Sequence, residues 1–485
     1  MQSSLMPQSP TDWLPEEHLA YFILEVLEQL DLTAIERKVQ SKDHRGERPY
    51  SPRMMTSLLL YGYTVGVFSS RKIEQATHGD VAFRVLAAGE HPHFTTVNSF
   101  RDAHRDALAG LFQQVLQLCM SAGLVKLAHV AIDGTKIKAN ASKHKAMSAE
   151  RMEKAEVKLT DEIEALLAKA EAVDAAEDAA YGPGNQEPGL KAEWARREGR
   201  REKIREHLAA LKKEAAQGRA TDLRQQAESL RETSVDPTVT AKTRATATTL
   251  AKKRDAQASS LDDDDSPPPP AIDADLPRNR PPTTKAGRPK PKAQRNFTDP
   301  ESRIMLRDGG FLQAYNGQIA VDDSHQIIVA AALSNQSPDA EYFGPMLDRV
   351  VENCGAVPES ATADSGYFST QNVHHAERLG VEPFIAVNRH RRDGKPGDDA
   401  PPLESYATPA RAQMRALLES ERGHAVYARR KATVEPVFGQ IKSARGFRQM
   451  SFRGLFKNRL EWLFIAATHN LRKLWRYAPA LALAA

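Results

Sequence analysis

Apolar residues recur at helical spacing from Leu19 to Leu32, through Phe22, Ile23, Val26, Leu27 and Leu30, and again through Met54, Leu58, Leu59 and Tyr61. A short helix is expected around Ile73 and Glu74 and another over Val81 to Leu86. A longer one starts near Thr95 or Thr96, either of which can cap it, and carries Val97, Phe100, Leu108, Leu111, Phe112, Val115 and Cys119 on one side. Turn signals fall at His78 to Asp80 and Gly89 to Pro92. Residues 1–124 therefore read as an all-helical domain. At Leu124 the period changes: residues 124–132 form a short apolar run that ends at Asp133-Gly134 and reads as a buried strand, so that residues 125–146 open a second domain.

Residues 147–232 are rich in Ala, Glu, Lys and Arg and break only around Gly182-Pro183-Gly184, the pattern of two long helices paired as a hairpin or a coiled coil. Residues 233–295 hold four aspartates (Asp262 to Asp265), four prolines (Pro267 to Pro270) and a basic Pro-rich stretch, and are expected to be disordered or extended. Strand signals resume at Phe311 to Val321 and His325 to Leu333, joined as a hairpin at Asp322-Asp323-Ser324. A helix follows from Ala340 to Asn353, then a strand leading to Asp364, a helix near Gln371 to Leu379, a strand at Phe384 to Val387, a polar loop from Asn388 to Thr408, and helix to Tyr477. The predicted fold class is α/β: a mixed sheet with flanking helices over residues 296–477, preceded by the helical domain, interrupted by the insert, and followed by a tail at 478–485.

Composition narrows the partners. The chain has 485 residues, with 67 Lys and Arg against 63 Asp and Glu, so the net charge of +4 says little and the placement of charge says more. Cys119 and Cys354 are the only cysteines and form no ligand cluster, which excludes a disulfide framework or a zinc ribbon. No apolar run reaches the roughly 18 residues of a membrane span, and Met1 to Pro15 is polar. A soluble, cytoplasmic protein with no membrane partner is expected.

Three acids stand out by position: Asp133 at the end of the first strand, Asp364 at the end of the fourth, and Glu435 on a helical segment late in the fold. Open α/β sheets place their sites at such strand ends, and carboxylates are the ligands that hard divalent cations take. Aspartate before glycine or Ser-Gly is also a common turn former, so these positions alone do not decide between the two roles.

The sequence around them is more specific. Ala-Ile-Asp-Gly-Thr-Lys-Ile-Lys-Ala-Asn-Ala-Ser (131–142), Ala-Asp-Ser-Gly-Tyr (363–367) and Val-Glu-Pro-Val-Phe-Gly-Gln-Ile-Lys (434–442) together resemble the catalytic blocks of bacterial insertion-sequence transposases of the DDE type. Arg48-Pro49-Tyr50, Ser69 to Glu74, Thr95 to Arg101 and Tyr315 to Asp322 resemble further blocks of that family, which covers most of the chain except residues 147–295. The resemblance implies a ribonuclease H-like catalytic domain and an N-terminal domain that recognises element ends. It also implies Asp133, Asp364 and Glu435 as catalytic ligands of two Mg2+ ions, for which Mn2+ can substitute, and Lys442 as a DNA contact. A related signature, Tyr-x2-Arg-x3-Glu-x6-Lys, is met in part: Tyr427 and Arg430 keep their mutual spacing but stand one residue too far from Glu435, and Lys431 occupies the arginine slot. Pro436 suits the first position of a helix, which places Glu435 at a helix start or kink.

From Arg422 to Arg476 there are 13 Lys or Arg and two acids, a segment that includes Lys442, Arg445 and Arg448 and reads as a phosphate-neutralising surface. In the N-terminal domain Arg71, Lys72, Asn98 and Arg101 sit on short helices of a size that fits a major groove. Lys285 to Arg295 holds five bases and no acid, and reads as a phosphate-binding linker. The function expected is a DNA transposase acting on double-stranded DNA, namely terminal inverted repeats and target, as a homodimer or higher oligomer. Its place would be the bacterial cytoplasm, nucleoid-associated when bound to DNA. Two alternatives stay open: a related nuclease without strand transfer, and a non-catalytic DNA-binding protein derived from a transposase.

Overall fold

A ten-residue strand, β1 (His129–Lys138), has paired neighbours on both sides. The computed structural model describes residues 10–40, 49–181, 188–235, 240–261, 276–307, 309–387 and 409–478, the side chains of 170–181 and 188–192 excepted. In it β1 runs antiparallel to β5 (Gly310–Asp322), from Val130 opposite Asp322 to Lys138 opposite Ala314. On its other edge it runs parallel to β7 (Ser360–Ala363), but only from His129 to Ala131. β6 (Ile328–Ser334) and β4 (Arg303–Arg307) pair with β5, and β8 (Glu382–Ile385) extends the parallel side beyond β7. This mixed sheet with helices packed on it is a ribonuclease H-like fold. β5 is buried from Gln313 to Asp322 and β6 over its whole length, which for β6 explains a near-continuous apolar sequence.

The helices before the sheet are α1 (Leu19–Gln29), α2 (Thr33–Gln40), α3 (Pro52–Val65), α4 (Ser70–Gly79), α5 (Val81–Leu86), α6 (Phe94–Ala103) and α7 (Arg105–Ser121). Their starts follow local chemistry: Ser51 caps α3 with Pro52 in its first turn, and the Asp80 carboxylate accepts from Phe83 N. One helix was expected from Thr95 through Cys119. It is two, divided at His104, and the cap is the His93 ring, which accepts from Thr95 N, rather than a threonine hydroxyl. The change of period at residue 124 is not a break in packing, because these helices and the sheet belong to one compact unit, residues 1–140, 275–277 and 304–485. The Tyr63 hydroxyl on α3 donates to Glu461 Oε1 at 3.0 Å on the last helix of the chain, α15 (Leu455–Tyr477). On the same helix the Trp462 indole donates to the Gln318 carbonyl at 3.1 Å, where a side chain on Gly317 would meet its ring.

A second compact unit comprises residues 141–274 and 278–303. Helices α8 (Ala149–Tyr181) and α9 (Pro188–Val235) lie antiparallel, with Arg205 on Glu156 at 2.6 Å and Arg197 on Glu162 at 3.6 Å. Met152, Leu159, Ile204, Leu208 and Leu211 form their core. Short strands β2 (Ala146–Ser148) and β3 (Gln294–Asn296) pair antiparallel and join the two ends of the insertion at its neck. The stretch 233–295, expected to be extended, contains a helix, α10 (Ala241–Ser259), packed on α9 through Ala220, Leu223 and Ala258. Its alanines and threonines supply a shallow face that packs closely, which the charge-rich composition concealed. The Asp262–Asp265 and Pro267–Pro270 runs and the loop 388–408 lie outside the described residues.

After the sheet come α11 (Phe343–Cys354), α12 (Thr370–Leu379), α13 (Pro409–Glu419) and α14 (Glu421–Gly439), then α15. Among the described residues no helix is long and apolar enough to cross a membrane.

One buried group joins β1 to β7 directly. His129 is 2% exposed, with Nδ1 3.0 Å from Ser360 Oγ and Nε2 3.1 Å from Thr362 Oγ1. Burial, with the charge of Arg429, pushes its pKa down to about 4, while Asp322 opposes the shift. The folded chain thus keeps the ring neutral where the unfolded chain protonates it near 6.5. The contribution is present above that pH and is lost as the pH falls toward 4, by about 3 kcal/mol in total. Urea unfolding across this range should show the parent losing that much more stability than His129→Gln; equal slopes would show that the histidine titrates normally.

Candidate active site

Asp133 and Asp364 meet at the edge of the sheet where β1 and β7 part. The last paired residues are Ala131 and Thr362, and each aspartate stands two positions further along its strand direction. Asp133 is not at a strand end, as its sequence suggested, because β1 continues to Lys138 on the strength of its other neighbour, β5. It is at the end of the parallel pairing, which opens the same crevice. Each carboxylate is oriented by a backbone donor: Gly134 N to Asp133 Oδ1 and Gly366 N to Asp364 Oδ1, both 2.8 Å. Burial pushes Asp133 up to about 6; the Arg430 guanidinium opposes that, and the negative charge of Asp364 adds to it.

Helix α14 crosses this edge and brings the third acid. Glu435 is half exposed on the rim, and Arg430 lies between it and the sheet, with Nη1 3.2 Å from Asp133 Oδ2 and Nη2 3.7 Å from Glu435 Oε1. The offset of Arg430 and Tyr427 from the expected signature therefore does not remove them from the cluster. Five residues rotate a helix by about 140° beyond one full turn, so Arg430 faces inward while Glu435 stays outside. Lys431, in the arginine slot, is exposed. Tyr427 lies beside Arg430, whose guanidinium carbon is 5.8 Å from the ring centre; burial raises its phenol pKa, Arg430 lowers it, and Asp364 raises it.

Pro436 does not begin a helix. It lies inside α14, an arrangement that removes one helical hydrogen bond and costs about 3 kcal/mol. The helix then widens into a π-turn at Gln440–Ala444. From that turn the Lys442 ammonium reaches back to the Thr135 hydroxyl on β1, two residues beyond Asp133.

A fourth acid, Asp339, stands next to these and gave no sequence signal, since Ser337-Pro338-Asp339 reads as an ordinary turn. It accepts from Lys136 Nζ at 3.2 Å, Asn316 Nδ2 at 2.6 Å and Gln318 Nε2 at 2.8 Å. Gly134 permits this approach: a Cβ there would lie 2.9 Å from Asp339 Oδ1 and would collide with the Gln318 amide. Tyr367, buried and pushed well above the usual phenol range by burial and then by Asp339, Asp133 and Asp364, donates to Gln318 Oε1. Asn316 and Gln318, two apart and so on one face of a largely buried strand, were the available sign of a buried polar network.

The remaining expected contacts divide. Arg71 and Asn98 line a cleft of about 600 Å³ together with Ser69, Ser70 and Thr95 at the N-terminal ends of α4 and α6, and Lys72 is exposed. Arg101 lines the same cleft but is mostly buried, and it donates to the Tyr63 hydroxyl at 2.8 Å and the Asn98 side chain at 2.9 Å. Arg445 is likewise in the core, donating to Thr468 Oγ1 at 2.9 Å, with its pKa pushed down to about 9 by burial and by Arg472. Arg448 is exposed. Within Lys285 to Arg295, Arg295 pairs with Glu214 of its own unit and does not stand open to phosphate.

Among the described residues no three acidic, histidine or cysteine groups are close enough to hold one ion together. The donor set still suits a hard divalent cation: two adjacent carboxylates, a third on the rim, and a guanidinium now supplying the positive charge between them.

Residues 289–471 match the transposase DDE domain family, and residues 8–103 match a transposase domain family (DUF772). The first match includes Asp364 and Glu435 and begins downstream of Asp133, on the far side of the inserted helices. The chain matches no curated protein and no solved structure. With both transposase matches in order along one chain, and a ribonuclease H-like sheet carrying the acids at its parting strands, this protein belongs to the insertion-sequence transposases of the DDE type.

Proposed function

We propose that this transposase cleaves the ends of a DNA element and joins them to target DNA, using Asp133, Asp364 and Glu435. The observation that carries the reading is the meeting of two aspartates where β1 and β7 part, with Glu435 tied to them through one arginine. The three carboxylates would hold Mg2+ or Mn2+, which when bound supplies charge stabilisation and an activated nucleophile. In the first reaction a water oxygen bonds to the scissile phosphorus, and the bond to the 3′ oxygen breaks, leaving a 3′-OH and a 5′-phosphate. In the second, that 3′-OH attacks a target phosphodiester and displaces a target 3′ oxygen. One phosphodiester replaces another, so no external energy source is needed.

The chain's own groups have separable tasks. Lys442, held by Thr135 beside Asp133, presents a cation to the phosphate. Arg430 balances the carboxylates and fixes Glu435 against the sheet edge. Asp339, satisfied by three donors, keeps Lys136, Asn316 and Gln318 in place under the site.

Asp133→Asn, Asp364→Asn and Glu435→Gln should each abolish Mg2+-dependent cleavage of an end-containing duplex while leaving duplex binding within a few-fold of the parent. An amide keeps the shape and loses the charge that binds the ion. Cleavage retained by any of them removes that residue from the site.

Charge reversal separates the surface arginine from the core one. Arg448→Glu should weaken binding to end and random duplexes by a similar factor and flatten the dependence on salt, because its contribution comes from counterion release. Arg445→Glu should lower the melting temperature sharply before any question of binding arises, since it places an acid among core groups. Binding isotherms at several salt concentrations, with thermal melts of both variants, distinguish the two.

A further inference from the structure

Pro436 follows Glu435 directly, and the helix must be held together across it. The carbonyl left without its helical partner is that of Ala432, four residues earlier. It accepts a hydrogen bond from outside the helix: Gln326 Nε2 donates to it at 2.9 Å. The other end of the same amide, Gln326 Oε1, accepts from Gln440 Nε2 at 3.0 Å, one turn beyond the proline, and from Lys473 Nζ on α15 at 2.8 Å. An ammonium can only donate, so Lys473 fixes which end of the amide is oxygen and leaves the nitrogen facing Ala432.

Gln326 itself is placed against local preference. It lies in the turn between β5 and β6 with φ at +60°, a region that a glutamine rarely adopts. Its carbonyl is held by the buried His469 ring, 2.9 Å away. Backbone conformations of this kind persist where the surroundings fix them, and here what they fix is an amide aimed at a gap in the helix that carries Glu435.

We propose that Gln326 is a positioning residue for Glu435: its amide bridges the break at Pro436, from Ala432 on one side to Gln440 on the other, and so sets the direction in which Glu435 faces the sheet edge that carries the two aspartates. The inference rests on the reading of Glu435 as a metal ligand. A turn of the sheet thereby sets the third ligand, although the two are 109 residues apart in sequence.

The test uses the full chain and Mn2+ as the probe, measured by calorimetric titration beside thermal melting. Gln326→Glu keeps an acceptor for Lys473 and Gln440 but has no proton for the Ala432 carbonyl. It should melt cooperatively near the parent temperature and bind Mn2+ about tenfold more weakly, the scale on which outer partners of a ligand act. Pro436→Ala returns an N–H to the helix, so Q326E added to P436A should weaken binding less than about threefold further. If Q326E binds Mn2+ as the parent does, or loses the same factor with and without P436A, the inference is wrong. A Q326E chain that no longer melts cooperatively would assign Gln326 to stability and also overturn it. Glu435→Gln separates this from failure of the underlying reading: unchanged Mn2+ affinity in E435Q removes Glu435 as a ligand and both claims fall, whereas weakened affinity in E435Q with parent-like Q326E rejects Gln326 alone.

Discussion

Two aspartates stand where β1 and β7 part, and the burial of Asp133 beside a second negative charge is the constraint to which the neighbouring groups answer. Asp133 is raised to about 6 by burial and by Asp364, against the pull of Arg430. A like charge beside a buried carboxyl disfavours its ionised form, and a neighbouring cation favours it. The protein holds the two acids by backbone donors from Gly134 and Gly366, which orient them without neutralising them. It places one guanidinium on the outer side and buries a phenol, Tyr367, on the inner. Asp339, nearby, receives the opposite treatment: an ammonium and two amides leave it satisfied. Neighbouring acids are thus sorted into one that builds the floor and two that remain available.

Much of this was legible in the sequence, and the limits have physical causes. The positions of Asp133, Asp364 and Glu435 could be read because strand and helix periods locate them on elements, and because local blocks resemble those of a family. That Asp133 lies in mid-strand could not be read, since a strand's extent depends on which edge is paired, and β1 outruns β7 but not β5. Arg430 appeared displaced by one residue, yet on a helix that displacement turns it inward. Pro436 read as a helix start or a kink, and which of the two it makes depends on whether something else serves the orphan carbonyl. That something, Gln326, is distant in sequence. Asp339 was invisible for the same reason, its donors coming from β1 and β5.

The insertion follows a related rule. It leaves the first unit after Asn140 and, residues 275–277 apart, returns before Ile304, so that in sequence it lies between β1 and β4. Loop-closure entropy rises only slowly with length, so what matters is how the ends are fixed. Here β2 and β3 pair at the neck, Ala149 N donates to the Ala293 carbonyl at 2.8 Å, and the inserted helices bury a core of their own. This also explains why the match to the DDE domain can start at residue 289 while the strand bearing the first aspartate precedes the insertion.

The C-terminal basic run shows how far charge counting can mislead. Of its 13 lysines and arginines, Arg430, Arg445, Arg459 and Lys473 are buried, at 8, 4, 3 and 7% exposure. They act as multi-pronged donors to groups the fold would otherwise leave unsatisfied: Arg459 to the Leu333 carbonyl at 2.6 Å, Arg445 to Thr468, Lys473 to Gln326. Three of the four are arginines, consistent with a weakly hydrated, forked cation being the cheaper one to bury. Of the nine that remain outside, Arg422, Arg429 and Lys457 pair with Glu382, Asp323 and Asp102, and Lys442 is held by Thr135. A single segment thus supplies both internal hydrogen-bond donors and outward-facing cations. Only the direction in which each side chain leaves its helix tells the two apart.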